Sequence, residues 1–295
     1  MSVFNDRDMA FWEENGYVVL HDAVPTQQLD NLVAAIWDFL GIDPDDRDDW
    51  YKWEPFDYDD PQTPICPAGM VSLYQHQALW DNRQYPRVYE AFTEILGTRK
   101  LWVSLDRANM KPPARPDRPQ WGHTGMVHWD VDTSQTSIPF AVQGVLYLRD
   151  TAENQGGFQC VPGFQNIFDE WVKTQPSDRN ARFPALDGLE VKSIPGKAGD
   201  LLIWDQMLPH GNGHNRSDKP RLAQYITMRP AEEDDEEQRQ MRLDAWRDRR
   251  PVAPSESRGY RWPSDPRDWE HKTQSPAVLT SLGRKLLGVD SWGDA

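Results

Sequence analysis

The sequence predicts a mainly β fold with flanking helices, of the sandwich or jelly-roll kind. From about residue 100 onward, short runs of β-branched, aromatic and aliphatic residues alternate with turn residues. Strands at this spacing are typical of antiparallel sandwiches and barrels. The first 100 residues show helical periodicity instead. The chain has 295 residues and no internal repeat before residue 230, a length at which an all-β core often forms a single domain.

The N-terminal segment predicts a helix that is followed directly by a strand. Within residues 6–15, Met9, Phe11 and Trp12 fall on one stripe of a helix, and Gly16 is a typical C-terminal cap. The next four residues, 17–20, are short and apolar, which predicts a buried strand.

Two further helices are predicted before residue 100. Pro25 is suited to a helix start, and the apolar residues after it recur at i, i+3, i+4, i+7, i+8 and i+11. They are Leu29, Leu32, Val33, Ile36, Trp37 and Leu40. Residues 85–96 predict another helix. The intervening residues 43–64 are acidic, aromatic and rich in proline, and we expect them to form an ordered loop over another part of the protein.

The β-rich half predicts strands separated by turns and one helical insertion at 166–174. The predicted strands are 101–105, 140–148, 157–161, 189–194, 201–204 and 222–228. Beyond Pro230 the chain becomes charged, and 232–250 predict a solvated helix with acids at its start and arginines at its end. A final short helix is predicted at 277–287.

Composition excludes several classes of partner. The formal net charge of −15 repels phosphate backbones and anionic membrane surfaces, so we expect neither nucleic acid nor membrane as a partner. The longest apolar runs, such as 201–204, are too short to cross a bilayer. The N-terminus lacks a secretion signal and there are only two cysteines, so a cytoplasmic location is expected. Some of the fourteen tryptophans are expected to line a ligand cavity.

Three residues form a candidate metal site. His128 and Asp130 are two positions apart in VHWDVD, and in an extended strand they point to the same side. His210, in a proline- and glycine-rich turn after an apolar strand, is the best candidate for a third ligand. Two histidines and a carboxylate form the facial triad of non-haem Fe(II) oxygenases. Alone, the His-x-Asp motif is a weak signal, because a strand-end or surface-turn histidine has the same pattern.

Arg221 is an independent observation that favours the same site. It follows His210 by 221 − 210 = 11 positions and begins the next apolar strand. An arginine inside a barrel is costly without a partner, and a dicarboxylate co-substrate supplies one through two parallel hydrogen bonds. The alternative is an edge-strand arginine that faces solvent or pairs with an acid.

Several motifs in order make the resemblance specific. The chain resembles the phytanoyl-CoA dioxygenase family of 2-oxoglutarate oxygenases in four segments between residues 11 and 229. These are FWEENGYVVL, VHWDVD, NQGGFQCVPGF and KAGDLLIWDQMLPHGNGHNRSDKPR. The chain departs from the family pattern in two places: its usual PGSH turn is PGFQ at 162–165, and its frequent tryptophan before the central strand is Gln143.

The resemblance implies a double-stranded β-helix (jelly roll) and an iron(II)- and 2-oxoglutarate-dependent dioxygenase. It implies iron ligation by His128, Asp130 and His210, and a salt bridge from Arg221 to 2-oxoglutarate. The expected reaction uses O2, decarboxylates 2-oxoglutarate to succinate and oxidises, by hydroxylation, a C–H bond of a small molecule. The presence of Asp130 argues against the halogenating relatives, where a small residue takes that position.

The remaining candidates are cavity residues. Gln143 is expected to contact the oxoacid or the substrate, unless it is an outward polar residue of its strand. Asn109 is a candidate contact to 2-oxoglutarate or substrate, and its neighbours Arg107 and Lys111 are candidate polar groups of the cavity wall. Trp129, between two of the predicted ligands, should point away from the metal.

We expect residues 1–230 to form the dioxygenase domain, with the jelly-roll core beginning near 100. Residues 231–295 are expected to form a partly helical extension that packs on the same domain, in a monomer or a homodimer. Two other functions remain open from the residues. One is a cupin-type metal dioxygenase or isomerase without 2-oxoglutarate, and the other is a barrel that binds small molecules without turnover.

Overall fold

The computed structural model describes residues 2–55, 62–123, 125–252 and 263–293. The helices in these ranges are α1 (Asp6–Asn15), α2 (Thr26–Leu40), α3 (Gln77–Arg83), α4 (Pro86–Leu96), α5 (Phe168–Lys173), α6 (Glu236–Asp248), α7 (Trp269–Thr273) and α8 (Ser281–Leu287). Short 3-10 turns lie at Asp49–Tyr51, Pro119–Trp121 and Phe164–Asn166. None of the helices in the described ranges has both the length and the apolar character that spanning a bilayer requires.

The strands pair in three antiparallel sheets. They are β1 (Tyr17–Leu20), β2 (Met70–Val71), β3 (Leu101–Val103), β4 (Ala108–Lys111), β5 (Val142–Tyr147), β6 (Phe158–Cys160), β7 (Lys192–Ser193), β8 (Leu201–Asp205), β9 (His210–Asn212), β10 (Arg221–Tyr225) and β11 (Met228–Pro230). The largest sheet has the order β1-β8-β5-β10-β4-β2, a smaller one has the order β7-β6-β9, and β11 pairs with β3. The fold therefore combines antiparallel sheets with flanking helices, as predicted.

The N-terminal elements match the predictions closely. Asn5 caps the start of α1 by accepting from the backbone N–H groups of Arg7 and Asp8, and Gly16 ends the helix in the left-handed region at φ 73°. The predicted strand at 17–20 is β1, which pairs with β8 in the largest sheet. In α2 all six predicted apolar positions are buried, and the predicted helix at 85–96 is α4. Part of the predicted loop at 43–64 lies outside the described residues.

Two buried clusters divide the interior. The larger one packs α2, α3 and α4 against the outer face of the large sheet. The second lies between the two main sheets and takes side chains from β5, β8 and β10 on one side and from β6 on the other. The candidate site lies next to this second cluster, because His210, at the start of β9, pairs with Cys160 of β6.

Several predicted elements need correction. His128 and Asp130 do not lie on the regular strand that their two-residue spacing predicted, since His128 forms only an isolated bridge with His210. The predicted strand at 222–228 is divided into β10 and β11, because the chain leaves the large sheet after Ile226 and pairs next with β3. The predicted strand at 189–194 is reduced to β7, and the final helix begins at Ser281 instead of 277 because Thr280 caps it.

The charged helix at the C-terminal side is less solvated than predicted. In α6 the guanidinium of Arg242 is buried and donates to the backbone carbonyls of Val103, Leu286 and Leu287. These contacts place the start of the C-terminal segment against β3 and the end of α8. The indole of Trp292 reaches the carbonyl of Leu101, on the same strand.

Candidate functional site

The backbone brings the three predicted ligands together. His128 and His210 exchange two backbone hydrogen bonds of 2.9 Å, which places the two residues side by side. Their imidazole centroids are 5.0 Å apart. One ligand atom from each of His128, Asp130 and His210 lies within 4.8 Å of the other two. The three predicted ligands therefore lie close together in space. The carboxylate is positioned by a bend of the backbone at Asp130 and not by a regular strand.

Both histidines are oriented for ligation by Nε2. The Nδ1 atom of His210 lies 2.9 Å from the carbonyl of Leu208, and Nδ1 of His128 lies 3.3 Å from the carbonyl of Met126. A carbonyl at this position holds the proton on Nδ1, which leaves the Nε2 lone pair available for a metal. The Nε2 atoms face Asp130, at 3.3 Å from His128 to Oδ1 and 3.5 Å from His210 to Oδ2.

Asp130 is held as an anion. Burial alone would raise its pKa, but contacts to His128, His210 and Gln143 outweigh burial and hold the pKa well below its usual range. In return Asp130 raises the pKa of His128, against the effect of burial. Two neutral nitrogen donors and one carboxylate on one side of an ion form the donor set that non-haem iron(II) takes. The residues present therefore fit such an ion.

Gln143 contacts a predicted ligand. It lies on β5 opposite Trp204 of β8. Its amide Nε2 donates to Asp130 Oδ2 at 2.5 Å, and its Oε1 accepts from the Trp204 indole at 3.1 Å. The indole thus fixes which end of the amide faces Asp130. The side chain lines the cavity and is not an outward residue of its strand. Its predicted contact to the oxoacid or the substrate stays a prediction.

Arg221 is buried and only partly hydrogen-bonded. It begins β10 and is 0% exposed. Its Nη1 donates to the hydroxyl of Tyr225 at 3.2 Å, whereas no hydrogen-bond partner among the described residues reaches Nε or Nη2. These two nitrogens share one edge of the guanidinium plane, the edge that accepts a carboxylate in two parallel bonds. A buried cation with two unpartnered nitrogens fits a carboxylate co-substrate, although Arg221 itself is not among the residues that line the cavity.

Asn109 and Lys111 of β4 lie opposite Ala223 and Arg221 of β10. The amide nitrogen of Asn109 donates to the carbonyl of Ala68, and its Oδ1 has no partner among the described residues. The ammonium of Lys111 donates to the carbonyls of Gly213 and His123. Burial, together with the charge of Arg221, lowers the pKa of Lys111 to about 7. The predicted contact from Asn109 to a co-substrate stays a prediction.

A cavity of about 940 Å³ opens from the triad. This volume is at the upper end of the range for small-molecule sites and admits a co-substrate together with a second organic molecule. The aromatic residues of its wall include Phe158, Phe183, Trp204 and Tyr225. The indole of Trp129 points away into a buried aromatic cluster and donates to the carbonyl of Met207, as predicted.

The sequence did not single out some residues of the cavity wall. Arg182 donates to the backbone carbonyl of Asp130, and it comes from an irregular segment without a motif. Asn212 and Tyr225 also line the cavity and are hydrogen-bonded to each other at 2.8 Å. Tyr225 could have been identified from the sequence, because it lies four positions after Arg221 on one strand and its side chain is therefore on the same face.

Comparison with known proteins gives one family. The model of the family described as phytanoyl-CoA dioxygenase (PhyH) matches residues 12–223. A protein of Dictyostelium discoideum that is named as a phytanoyl-CoA dioxygenase is 26% identical over 261 residues, which cover 75% of this chain and 74% of that protein. The ectoine dioxygenase of Bordetella bronchiseptica is 27% identical over 162 residues, or 50% of this chain and 52% of the relative.

A solved structure is similar in fold. The epimerase SnoN, crystallised with Fe3+, α-ketoglutarate and nogalamycin RO, superposes with a TM-score of 0.55 at 17% identity. The match covers 77% of this chain and 83% of SnoN. At this identity the similarity concerns the fold.

Proposed function

The chain belongs to the phytanoyl-CoA dioxygenase family of non-haem iron(II), 2-oxoglutarate-dependent dioxygenases, and from that premise we propose that it hydroxylates a C–H bond of a small organic molecule. The cofactor and co-substrates are Fe(II), 2-oxoglutarate and O2. When bound, they supply an oxidant strong enough to attack a C–H bond, with release of succinate and CO2.

His128, Asp130 and His210 hold the iron in this proposal. The observation that carries it is the convergence of their three ligand atoms within 4.8 Å at the end of a large cavity. Three protein ligands on one side leave the cavity side open for the co-substrates. The ring of Phe158 stacks near the His210 imidazole at 6.1 Å, and Trp204 lies at 5.1 Å. These rings exclude water from the ligand.

Arg221 holds the distal carboxylate of 2-oxoglutarate. Its open Nε–Nη2 edge and its complete burial support this role. Gln143 holds Asp130 in position through its 2.5 Å hydrogen bond. Asn109 is assigned a contact to 2-oxoglutarate or substrate through its Oδ1 atom, which has no partner in the described part of the chain.

The fold that carries these residues is a double-stranded β-helix. Two antiparallel sheets enclose the cluster between β5, β8, β10 and β6, with the ligands at one end. Residues 1–230 form the catalytic domain, and 231–295 pack on it through contacts such as that of Arg242 with Val103. A jelly roll with ligands at the open end of its cavity is a common arrangement for small-molecule chemistry.

The test of hydroxylation is product analysis under oxygen-18 gas. With iron(II), 2-oxoglutarate and a small-molecule library, we expect succinate formation above the substrate-free level for the true substrate. Its product should carry one labelled oxygen atom. Desaturated, epimerised or ring-closed product without the label would refute hydroxylation while retaining the oxygenase. Turnover without consumption of 2-oxoglutarate would refute the role of the co-substrate.

A further inference from the structure

A second carboxylate faces the cavity. Among the described residues of the cavity wall, the acidic side chains are Asp130, assigned above to the metal, and Asp106. Asp106 lies just before β4, and the charge of Asp130 contributes to raising its pKa. It has no place in the proposed metal or 2-oxoglutarate site, so its burial requires another explanation.

The neighbouring Arg107 does not neutralise Asp106 fully. The Oδ1 atom of Asp106 accepts from the backbone N–H of Arg107 at 2.8 Å, but the guanidinium Nε is 3.6 Å away, too far for a good hydrogen bond. The guanidinium turns instead toward Tyr74, whose hydroxyl it reaches at 3.3 Å.

Exposure identifies which member of the pair is presented to a ligand. The side chain of Asp106 is 18% exposed and that of Arg107 only 5%. Both residues line the cavity, and the carboxylate is the more accessible of the two groups. In the described part of the chain no side-chain or backbone donor forms a hydrogen bond with Oδ2 of Asp106.

Burial outweighs the buried guanidinium groups of Arg107 and Arg83, which both lower the pKa of Asp106. Burial, the largest effect, raises the pKa of Asp106 to about 6, so a positive partner would stabilise its charged form. Phe158, Phe183 and Trp204 give the same cavity an apolar, aromatic wall. The guanidinium of Arg182 is directed at the carbonyl of Asp130, and the net charge of −15 concentrates cations near the protein.

We propose that Asp106 anchors a protonated amine of the substrate, so that the enzyme acts on small organic cations with an apolar portion. The carboxylate binds the ammonium group, and the aromatic wall packs against the apolar portion. This inference rests on the proposed function, because it takes the cavity as the substrate site.

The experiment compares two probes that differ in charge. Benzylamine is protonated at neutral pH, and benzyl alcohol is its neutral counterpart of similar shape. Binding to the protein loaded with iron(II) and 2-oxoglutarate without oxygen is measured by calorimetry and by quenching of tryptophan fluorescence. We expect the wild-type protein to prefer benzylamine by about tenfold, the effect of one charge-assisted contact in a partly desolvated site. In Asp106→Asn, which keeps the size and one acceptor oxygen, the preference should disappear.

Asp205→Asn is the matched control. Asp205 is also a partly buried carboxylate whose pKa burial raises, but it accepts from the backbone of Met207 and does not line the cavity. This variant should keep the wild-type preference. Asp106→Ser provides a second substitution if the melting temperature of Asp106→Asn falls.

Two results would overturn the inference. One is equal affinity of the wild-type protein for both probes. The other is a preference for benzylamine that survives in both Asp106 variants, as it would if the amine bound the metal directly. Substrate-independent conversion of 2-oxoglutarate to succinate is measured in parallel. Its absence would count against the proposed function, whereas the probe preference alone decides the role of Asp106.

Discussion

Replacing Arg221 by methionine, lysine or alanine separates the role of its charge from that of its shape. The guanidinium is fully buried, and only Nη1 has a partner, the hydroxyl of Tyr225. If Nε and Nη2 bind the distal carboxylate of 2-oxoglutarate, truncation removes two charge-assisted hydrogen bonds. Each hydrogen bond to a charged group contributes about 1.5–3 kcal/mol, so the loss of even one of the two should raise the apparent KM for 2-oxoglutarate by roughly one to two decades in Arg221→Ala. Arg221→Lys should recover part of this, since it keeps the charge without the planar fork.

For stability without the co-substrate, we expect the opposite effect of replacing Arg221: the protein should not be weakened. An unpaired buried charge is unfavourable, and replacement of buried ionic groups by apolar side chains of similar volume is often neutral or stabilising by about 1–4 kcal/mol. Arg221→Met should therefore melt at or above the wild-type temperature in the absence of 2-oxoglutarate. At 2-oxoglutarate concentrations that saturate the wild type, the wild type should gain more stability than Arg221→Met. The assay is a thermal melt with and without 2-oxoglutarate, together with succinate formation.

Arg242 offers a matched control for this experiment. It is also a buried arginine, but its guanidinium donates to backbone carbonyls of Val103, Leu286 and Leu287. Arg242→Met should lower the melting temperature, because the carbonyls lose their donors, and should leave the KM for 2-oxoglutarate unchanged in folded protein. An equal KM in wild type, Arg221→Ala and Arg221→Lys would remove Arg221 from the co-substrate site.

Three further predictions follow from the site and its support. His128→Ala or His210→Ala should lose iron binding and reduce iron-dependent turnover to background; full iron content and wild-type rate in either variant would refute the ligand assignment. Gln143→Leu should weaken iron binding by about 10–100-fold, the usual effect of removing a partner of a metal-bound carboxylate such as Asp130, and an unchanged iron Kd would restrict Gln143 to a packing role. Burial raises the pKa of Glu270 from 4.5 to about 7, so its contribution to stability is present below pH 4.5 and is lost as the pH rises toward 7. Glu270→Gln should therefore show a smaller loss of unfolding free energy across this range, and parallel pH profiles of the two proteins would contradict the assignment.

Sequence periodicity was sufficient to predict those helices and strands that are determined by their own residues. Gly16 ends α1 by adopting a positive φ, and the apolar stripe of α2 is buried as predicted. The strands that were missed are short and carry polar or glycine residues. One is β9, His210–Asn212, which exists only because Cys160 and His128 provide backbone partners on both sides.

Only part of the candidate site could be predicted, because sequence patterns mark some of its residues and not others. His128, Asp130 and His210 stand in motifs, and the structure brings them together. The sequence could not show that a bend places Asp130, or that Asp106 faces the cavity while Arg107 turns to Tyr74. These facts depend on contacts between segments far apart in the chain, which periodicity does not encode.

The central claim is that the triad and Arg221 form a single centre for iron(II) and 2-oxoglutarate. It is tested most directly by adding iron(II) and then 2-oxoglutarate without oxygen while the visible absorption is recorded. The account predicts the charge-transfer absorption of an iron(II)–oxoacid chelate in the wild type, its loss in His210→Ala, and its appearance at higher 2-oxoglutarate concentrations in Arg221→Met. No such absorption in the iron-loaded wild type, or an unchanged one in His210→Ala, would contradict the account.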